Sequence, residues 1–222
     1  MVHGTILEAK DCSLNIKKFT IGLESPLKPK PGQYIMVEIQ GQEPLKRAYS
    51  IIECNGKSVS ICVKKMGEFT KRLFEFSIGS SVEIYGPYGR FTLPQLQSPL
   101  VFIAGGIGIT PIYSMASSLI KDGWAKDVCL FYSCKSKKEM CFYEQILSWD
   151  KSRIGAHLFF TEECIDVNCN RRLDVEEIRN HCADFQKSMY YICGPSNMIE
   201  DISQQLIQNG ISDEMIKVEA FK

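Results

Sequence analysis

The sequence predicts two domains in tandem: an antiparallel β-barrel or sandwich, then an α/β domain built on a doubly wound parallel sheet. Three observations carry this expectation. Up to about residue 97 the chain reads as short runs rich in β-branched and aromatic residues, broken by turn residues. After the loop Leu93-Pro94-Gln95-Leu96-Gln97-Ser98-Pro99, continuous apolar runs alternate with helical segments. A glycine-rich loop, Ala104-Gly105-Gly106-Ile107-Gly108-Ile109-Thr110-Pro111, follows the first of these apolar runs. The expected division is therefore 1–97 and 98–222.

In the first half, Ile35-Met36-Val37-Glu38-Ile39, Ala48-Tyr49-Ser50-Ile51-Ile52 and Val59-Ser60-Ile61-Cys62-Val63 read as strands. Pro29-Lys30-Pro31-Gly32, Cys54-Asn55-Gly56-Lys57 and Gly86-Pro87-Tyr88-Gly89 supply the turns. Few helical stretches are expected. The segment Arg47-Ala48-Tyr49-Ser50 combines a guanidinium suited to phosphate, a ring able to stack on a flat group and a small hydroxyl donor. Alternation places Arg47 and Tyr49 on one face of a strand and Ser50 on the other, unless the strand bends. Taken alone, the four residues describe an ordinary strand with a surface Arg and a core Tyr equally well.

In the second half, Leu100-Val101-Phe102-Ile103-Ala104, Val128-Cys129-Leu130-Phe131-Tyr132, His157-Leu158-Phe159-Phe160 and Ser188-Met189-Tyr190-Tyr191-Ile192-Cys193 look like strands buried on both faces. Helices are expected at about 111–122, 140–149, 174–182 and 196–209. The loop from Gly105 to Pro111 runs from strand to helix. Gly105, Gly106 and Gly108 let the backbone turn and approach a diphosphate, and unpaired N–H groups at a helix start favour negative charge. Thr110 is expected as the cap and Pro111 in the first turn. The pattern is neither G-x-G-x-x-G nor a P-loop, and a tight turn without a ligand fits it too. Its place at the carboxyl end of a parallel strand favours a ligand.

Composition narrows the function classes. Of 222 residues, 45% are hydrophobic and 23% charged, so the whole chain is expected to fold. Lys+Arg 26 against Asp+Glu 26 leaves no net charge to draw in nucleic acid or anionic lipid. No apolar run approaches the ~20 residues of a membrane span, and the acidic Glu8 interrupts the start, unlike a signal peptide. A soluble, cytoplasmic protein is expected. Among ten cysteines, Cys129-x4-Cys134 and Cys164-x4-Cys169 begin like C-x4-C-x2-C, but Lys137 and Arg172 stand where a third cysteine belongs. There is no C-x2-C pair, so no metal is expected and the thiols read as free.

Arg47-Ala48-Tyr49-Ser50, Ser60-Ile61-Cys62-Val63-Lys64, Gly67-Glu68-Phe69-Thr70, the loop Gly105–Pro111, Tyr191-Ile192-Cys193-Gly194-Pro195 and Val218-Glu219-Ala220-Phe221 occur in an order that resembles the ferredoxin-NADP+ reductase superfamily. Any one of these motifs is weak, whereas six in register are specific. The resemblance spans nearly the whole chain and implies an FAD-binding β-barrel at 1–97 and an NAD(P)-binding α/β domain at 98–222. It implies that Arg47 binds the FAD diphosphate, that Tyr49 packs on the isoalloxazine and that the Ser50 hydroxyl approaches flavin N5. Gly67 and Thr70 would donate to the FAD diphosphate, and Lys64 would lie near the diphosphate of the nicotinamide nucleotide. The loop residues Gly105, Gly106, Gly108, Thr110 and Pro111, with Gly194, would border that nucleotide. Cys193 and Glu219 would complete the hydride-transfer site beside Ser50, and Phe221 would cover the flavin face. Lys222 departs from the pattern by extending the chain past that aromatic.

The nucleotide is expected to be NADH rather than NADPH. Where NADPH-using relatives carry a serine-arginine pair, this chain has Thr161-Glu162-Glu163. A carboxylate repels a 2′-phosphate and accepts hydrogen bonds from a free ribose hydroxyl. Lys135, Lys137, Lys138, Arg171 and Arg172 are close enough in sequence to rebuild a phosphate pocket. Electrons are expected to pass from NAD(P)H through FAD to a separate acceptor such as a ferredoxin, an oxygenase component or a cytochrome. The cysteine pattern and the absence of a fused iron-sulfur domain argue against the cluster-bearing dihydroorotate dehydrogenase electron-transfer subunit. Alternatives are an NAD(P)H-flavin reductase acting on free flavin, a non-catalytic flavin-binding regulatory subunit and a flavin-free α/β nucleotide-binding module.

Overall fold

The computed structural model describes residues 1–39, 45–93, 98–124, 127–149, 154–163 and 172–221. Arg171, Cys164, Cys169 and Lys222 lie outside them. In the first half, β1 (Val2–Ser13), β2 (Ile16–Leu23), β3 (Tyr34–Glu38), β4 (Arg47–Cys54), β5 (Ser58–Lys64) and β6 (Ser81–Tyr88) close a barrel in the order β1-β2-β5-β4-β3-β6. Every pairing is antiparallel. Inward residues such as Ile6, Phe19, Ile35, Val59 and Val82 fill it. Closure leaves no strand edge unpaired, which removes the usual route to edge-to-edge association.

The sequence reading passed over β1, β2 and β6, and also the helix α1 (Glu68–Phe74). Their buried positions are interrupted by polar ones, as in Ile16–Leu23, where only Ile16, Phe19 and Ile21 are buried, so the apolar signal is thin. In α1 only Phe69 and Leu73 are buried, too few for a periodic stripe.

The second half is a five-stranded sheet in the order β11-β10-β7-β8-β9, made of β7 (Leu100–Gly105), β8 (Val128–Cys134), β9 (Ile154–Phe160), β10 (Met189–Gly194) and β11 (Ile216–Ala220). All four pairings are parallel. Alternation along β7 and β10 builds two cores. Leu100, Phe102, Ala104, Tyr191 and Cys193 pack with α2 (Ile109–Lys121) and α3 (Tyr143–Ser148) on one face. Val101, Ile103, Tyr190 and Ile192 pack with α4 (Val175–His181) and α5 (Ser196–Gln208) on the other. Helix α2 buries Ile109, Ile112, Met115 and Leu119 on one stripe, each worth about 1.5–3 kcal/mol of apolar transfer. Ile16, Ile52 and Cys62 of the barrel join the first of these cores.

Two expectations are corrected. Strand β9 is an edge strand with Gly155 to Leu158 only partly buried, so it is not covered on both faces. Helix α2 starts at Ile109 with Gly108 as its cap residue. Thr110 lies inside the first turn, and its hydroxyl donates to the Ile107 carbonyl at 3.0 Å. No described helix is long and apolar enough to cross a membrane.

Candidate functional site

The chain reverses its direction of growth across the sheet between β7 and β10, and ligands of open parallel sheets gather beyond the strand ends at such a point. Gly105 ends β7 and Gly194 ends β10 there. Two clefts open at this place and share one wall residue, Lys64.

The first cleft, about 230 Å³, runs between barrel and sheet domain. All four of Arg47, Ala48, Tyr49 and Ser50 line it, together with Cys62, Gly67, Phe69 and Thr70. Ile107, Thr110 and Phe221 line it from the second domain. Strand β4 has a register shift between Ile51 and Glu53, and both faces of its first residues reach the cleft. The Tyr49 and Ser50 hydroxyls are buried and make no hydrogen bond. Burial pushes the Tyr49 phenol well above its usual range, so it keeps its proton. Arg47 is exposed at 6.0 Å over the Phe69 ring, and Nη1 makes only a 3.4 Å contact to the Lys46 carbonyl. Among the described residues no carboxylate pairs with it. The Tyr49 and Phe69 rings stack at 6.5 Å.

Gly67 and Thr70 are in the cleft wall, but Thr70 is occupied differently from the expectation. Its Oγ accepts from the Met66 and Gly67 N–H groups at 2.9 and 3.0 Å and donates to the Gly67 carbonyl at 2.9 Å. With its one proton committed, Thr70 shapes the loop rather than donating out of it.

The second cleft, about 560 Å³, is lined by Gly105 and Gly106, by Cys134 at the end of β8 and Lys135 just after it, by Thr161 and Glu162 after β9 and by Arg172 and Asp201. Glu162 is not a lone charge: Lys135 Nζ lies 2.8 Å from its Oε1. Lys137 sits over the Tyr143 ring at 4.1 Å, and its backbone N–H donates to Glu163 at 2.6 Å. Lys64 meets Glu139 at 3.3 Å, joining β5 to the short turn Lys137–Glu139 after β8. Sequence reasoning missed Glu139 and Asp201. Neither sits in a motif, and only folding brings residues 64 and 139 together.

Several expected site residues line neither cleft. Gly108 is glycine for a different reason: a Cβ there would stand 2.2 Å from the Cys193 carbonyl oxygen. At Gly194 a Cβ would meet Met198 at 2.7 Å, and at Gly105 it would meet the same side chain at 2.7 Å. Gly106 differs, with φ +54 and open space around its missing Cβ. Pro111 is buried in the first turn of α2. Cys193 is completely buried, and burial, with Glu219 next, holds its thiol well above the usual range. Glu219 stands beside Cys193 in the β10–β11 register, half-buried, its carboxyl raised by that burial. Of the Ser50, Cys193 and Glu219 group, Ser50 lines the first cleft, whereas Cys193 and Glu219 line neither cleft.

Residues 3–93 match the model of the oxidoreductase FAD-binding domain, and residues 102–204 match that of the oxidoreductase NAD-binding domain. The chain is 33% identical over 206 residues to a probable dihydroorotate dehydrogenase B (NAD+) electron-transfer subunit of Pyrococcus furiosus, covering 89% of this chain and 72% of that protein. It is 26% identical over 229 residues to sulfhydrogenase 2 subunit gamma of the same organism, covering 93% and 78%. The reductase component of the naphthalene 1,2-dioxygenase system of Pseudomonas putida is 23% identical over 228 residues, covering 100% and 69%. In fold, the FAD/NAD-binding domain of nitric oxide dioxygenase from Vibrio cholerae superposes with a TM-score of 0.89 over 99% of this chain and 98% of that one, at 24% identity.

Proposed function

Because the chain belongs to the ferredoxin-NADP+ reductase superfamily of FAD- and NAD-binding oxidoreductases, we propose that it takes electrons from NADH, passes them through FAD held in the first cleft, and delivers them to a separate protein acceptor. Residues 1–97 serve the flavin and 98–222 the nicotinamide nucleotide, a division supported by the spans of the two family matches. The observation that carries the reading is the pair of buried, unpartnered hydroxyls of Tyr49 and Ser50 in the wall of a cleft formed by both domains. Leaving buried donors unsatisfied costs about 1–3 kcal/mol each, so the wall is built for a polar ligand. A flavin ring system would suit it, with Arg47, which has no carboxylate partner among the described residues, offering its fork to a diphosphate.

When bound, FAD supplies the two-electron acceptor and the one-electron donor. This chain's residues provide position. Ser50 points a hydroxyl at the ligand edge, Tyr49 presents a protonated phenol, and Phe221 closes the side from which a nicotinamide would enter. Phe221 packs against the core that holds Cys193, so its displacement would be needed for Cys193 and Glu219 to approach a nicotinamide. Glu162, neutralised by Lys135, receives a ribose hydroxyl in the second cleft better than a phosphate.

The purified protein should show flavin absorption in the blue and near-ultraviolet after FAD addition, and NADH should bleach it anaerobically. A colourless protein sinks the flavin reading, and colour without bleaching favours a non-catalytic subunit. Ser50→Ala should stay yellow but bleach about 10- to 100-fold more slowly, matching the loss of one buried hydrogen bond. An unchanged rate removes Ser50 from the site. Glu162→Gln, by releasing Lys135, should shift the ratio of kcat/KM for NADPH over NADH upward by about tenfold, one charge contact at a partly exposed site. A ratio that does not move would place the nucleotide's ribose elsewhere.

The acceptor reading rests on relatives whose names make them reductase components or electron-transfer subunits. The match to the dihydroorotate dehydrogenase subunit restores that class of partner beside the oxygenases, although this chain lacks the C-x4-C-x2-C spacing. Turnover with free FMN alone would favour the flavin-reductase alternative.

A further inference from the structure

Three thiols meet where the two domains join. Cys12 Sγ on β1 lies 4.0 Å from Cys62 Sγ on β5. Cys141, just beyond the turn at 137–139, has its Sγ 3.5 Å from the Ser13 hydroxyl next to Cys12. The junction is tightly held. Leu14 N–H donates to the Lys138 carbonyl at 2.8 Å, the Ser13 hydroxyl donates to the Glu139 carbonyl at 3.2 Å, and the Cys141 N–H donates to the Tyr132 hydroxyl at 3.1 Å. Phe142, with φ +60, turns the chain sharply after Cys141. Cys62 and Cys141 are buried, whereas Cys12 is partly open to solvent. Cys62 also lines the first cleft.

We propose that Cys12 and Cys62 are a reversible dithiol–disulfide pair, with Cys12 the thiol that meets a hydroperoxide from solvent and Cys62 the thiol that resolves it. The Cys12 sulfur attacks the peroxide oxygen and the O–O bond breaks. This leaves a sulfenic acid on Cys12 and one water, formed from the departing hydroxide and the proton that Cys12 had released to solvent. The Cys62 sulfur then attacks the Cys12 sulfur, the S–O bond breaks, and hydroxide leaves with the Cys62 proton as the second water. Two thiols have lost two electrons and two protons, and one peroxide has become two waters. A solvent dithiol reverses the bond by exchange at the exposed sulfur.

The environment divides the roles between the two sulfurs. The Cys141 thiol first, then the Cys62 thiol and the Phe142 N–H, hold the Cys12 thiol far below its usual range, and Lys18 adds in the same sense. The same contacts keep the proton on Cys62, whose thiol is pushed up by Cys12 first. Thiolate character with exposure is what peroxide selects. Strand β2 lies between β1 and β5, so closing the remaining gap, from 4.0 Å to a bond of about 2 Å, requires the Cys12 segment to shift at the register irregularity between Asp11 and Ser13 as well as side-chain rotation. Oxidation would draw the Cys62 sulfur out of the cleft wall, so the disulfide would alter the flavin's surroundings. The bond itself does not depend on what fills that cleft.

The test is peptide mapping of the whole protein after a stoichiometric pulse of hydrogen peroxide and alkylation. Trypsin places Cys12, Cys62 and Cys141 on separate peptides, 11–17, 58–64 and 139–151. A cross-linked pair of 11–17 and 58–64, two hydrogens lighter than the sum and lost on dithiothreitol treatment, is expected. Cys141→Ser should keep it, whereas Cys12→Ser and Cys62→Ala should abolish it, and in Cys62→Ala Cys12 should instead stop at the sulfenic acid or beyond. Peroxide that leaves Cys12 alkylatable, that stops at over-oxidised Cys12 with free Cys62, or that joins Cys12 to Cys141 would overturn the assignment. As a second readout, flavin fluorescence of the FAD-loaded protein should change on oxidation and recover with dithiothreitol. That signal should be absent in Cys12→Ser, and a change persisting in Cys12→Ser would count against the pair.

Discussion

Arg47→Ala should fold normally and lose FAD affinity by about 100- to 1000-fold, because two charge-assisted hydrogen bonds to a diphosphate disappear. The side chain is exposed, meets the Lys46 carbonyl and lies over the Phe69 ring, and has no carboxylate partner among the described residues. Its removal therefore leaves the barrel core untouched, and the Tm of the flavin-free protein should hold to within a few degrees. Titration of FAD by fluorescence quenching measures the loss. Arg47→Lys should fall between the two, since an ammonium keeps the charge but not the planar fork. Wild-type affinity in Arg47→Ala would mean that the diphosphate lies elsewhere.

Gly108→Ala should be more severe and of a different kind, preventing accumulation of folded protein. The added Cβ would lie 2.2 Å from the Cys193 oxygen, 2.5 Å from its carbonyl carbon and 2.8 Å from the Gly194 nitrogen. These are backbone atoms of β10, paired on both sides within the sheet, and no side-chain rotation relieves them. A cost of about 4 kcal/mol or more, a large part of a domain's stability, is expected from overpacking of this kind. Gly106→Ala is the control. It has open space around its Cβ and should cost only about 1–2 kcal/mol for the left-handed backbone. Urea midpoints of the two variants, or soluble yield where Gly108→Ala does not fold, separate them. Equal behaviour would mean that the loop is held for a ligand at both positions.

That contrast shows what the sequence made legible and what it did not. The glycines of the loop were visible and their place after β7 was foreseeable, but their reasons were not. A motif does not reveal that Gly108 meets a carbonyl from a strand some 85 residues later while Gly106 faces open space. The buried parallel strands β7, β8 and β10 could be read because apolar runs survive without alternation. β11, with Lys217, Val218 and Ala220 exposed, left almost no signal. Arg47, Tyr49 and Ser50 were legible as a group, and the cleft gathers them. Thr70 was legible as a residue but not in its role, since its hydroxyl is claimed by the local loop. Cys193 and Glu219 could be ordered along the chain, yet burial is a property of packing: Cys193 is buried, Glu219 is half-buried, and neither lines a cleft. The cluster of Cys12, Cys62 and Cys141 was invisible for the same reason, as its members come from three distant segments.

Lys64 belongs to the walls of both clefts and holds Glu139 across the domain junction. On the proposed function, one ammonium would answer to two ligands. Any preference it has for the diphosphate of one, over its present carboxylate, is felt by the other through the same side chain. Reciprocity of coupled equilibria requires that whatever factor a bound flavin imposes on nucleotide affinity, a bound nucleotide imposes on flavin affinity. If the two clefts hold flavin and nucleotide as proposed, the junction is a thermodynamic exchange point, where filling one cleft retunes the hold of the other.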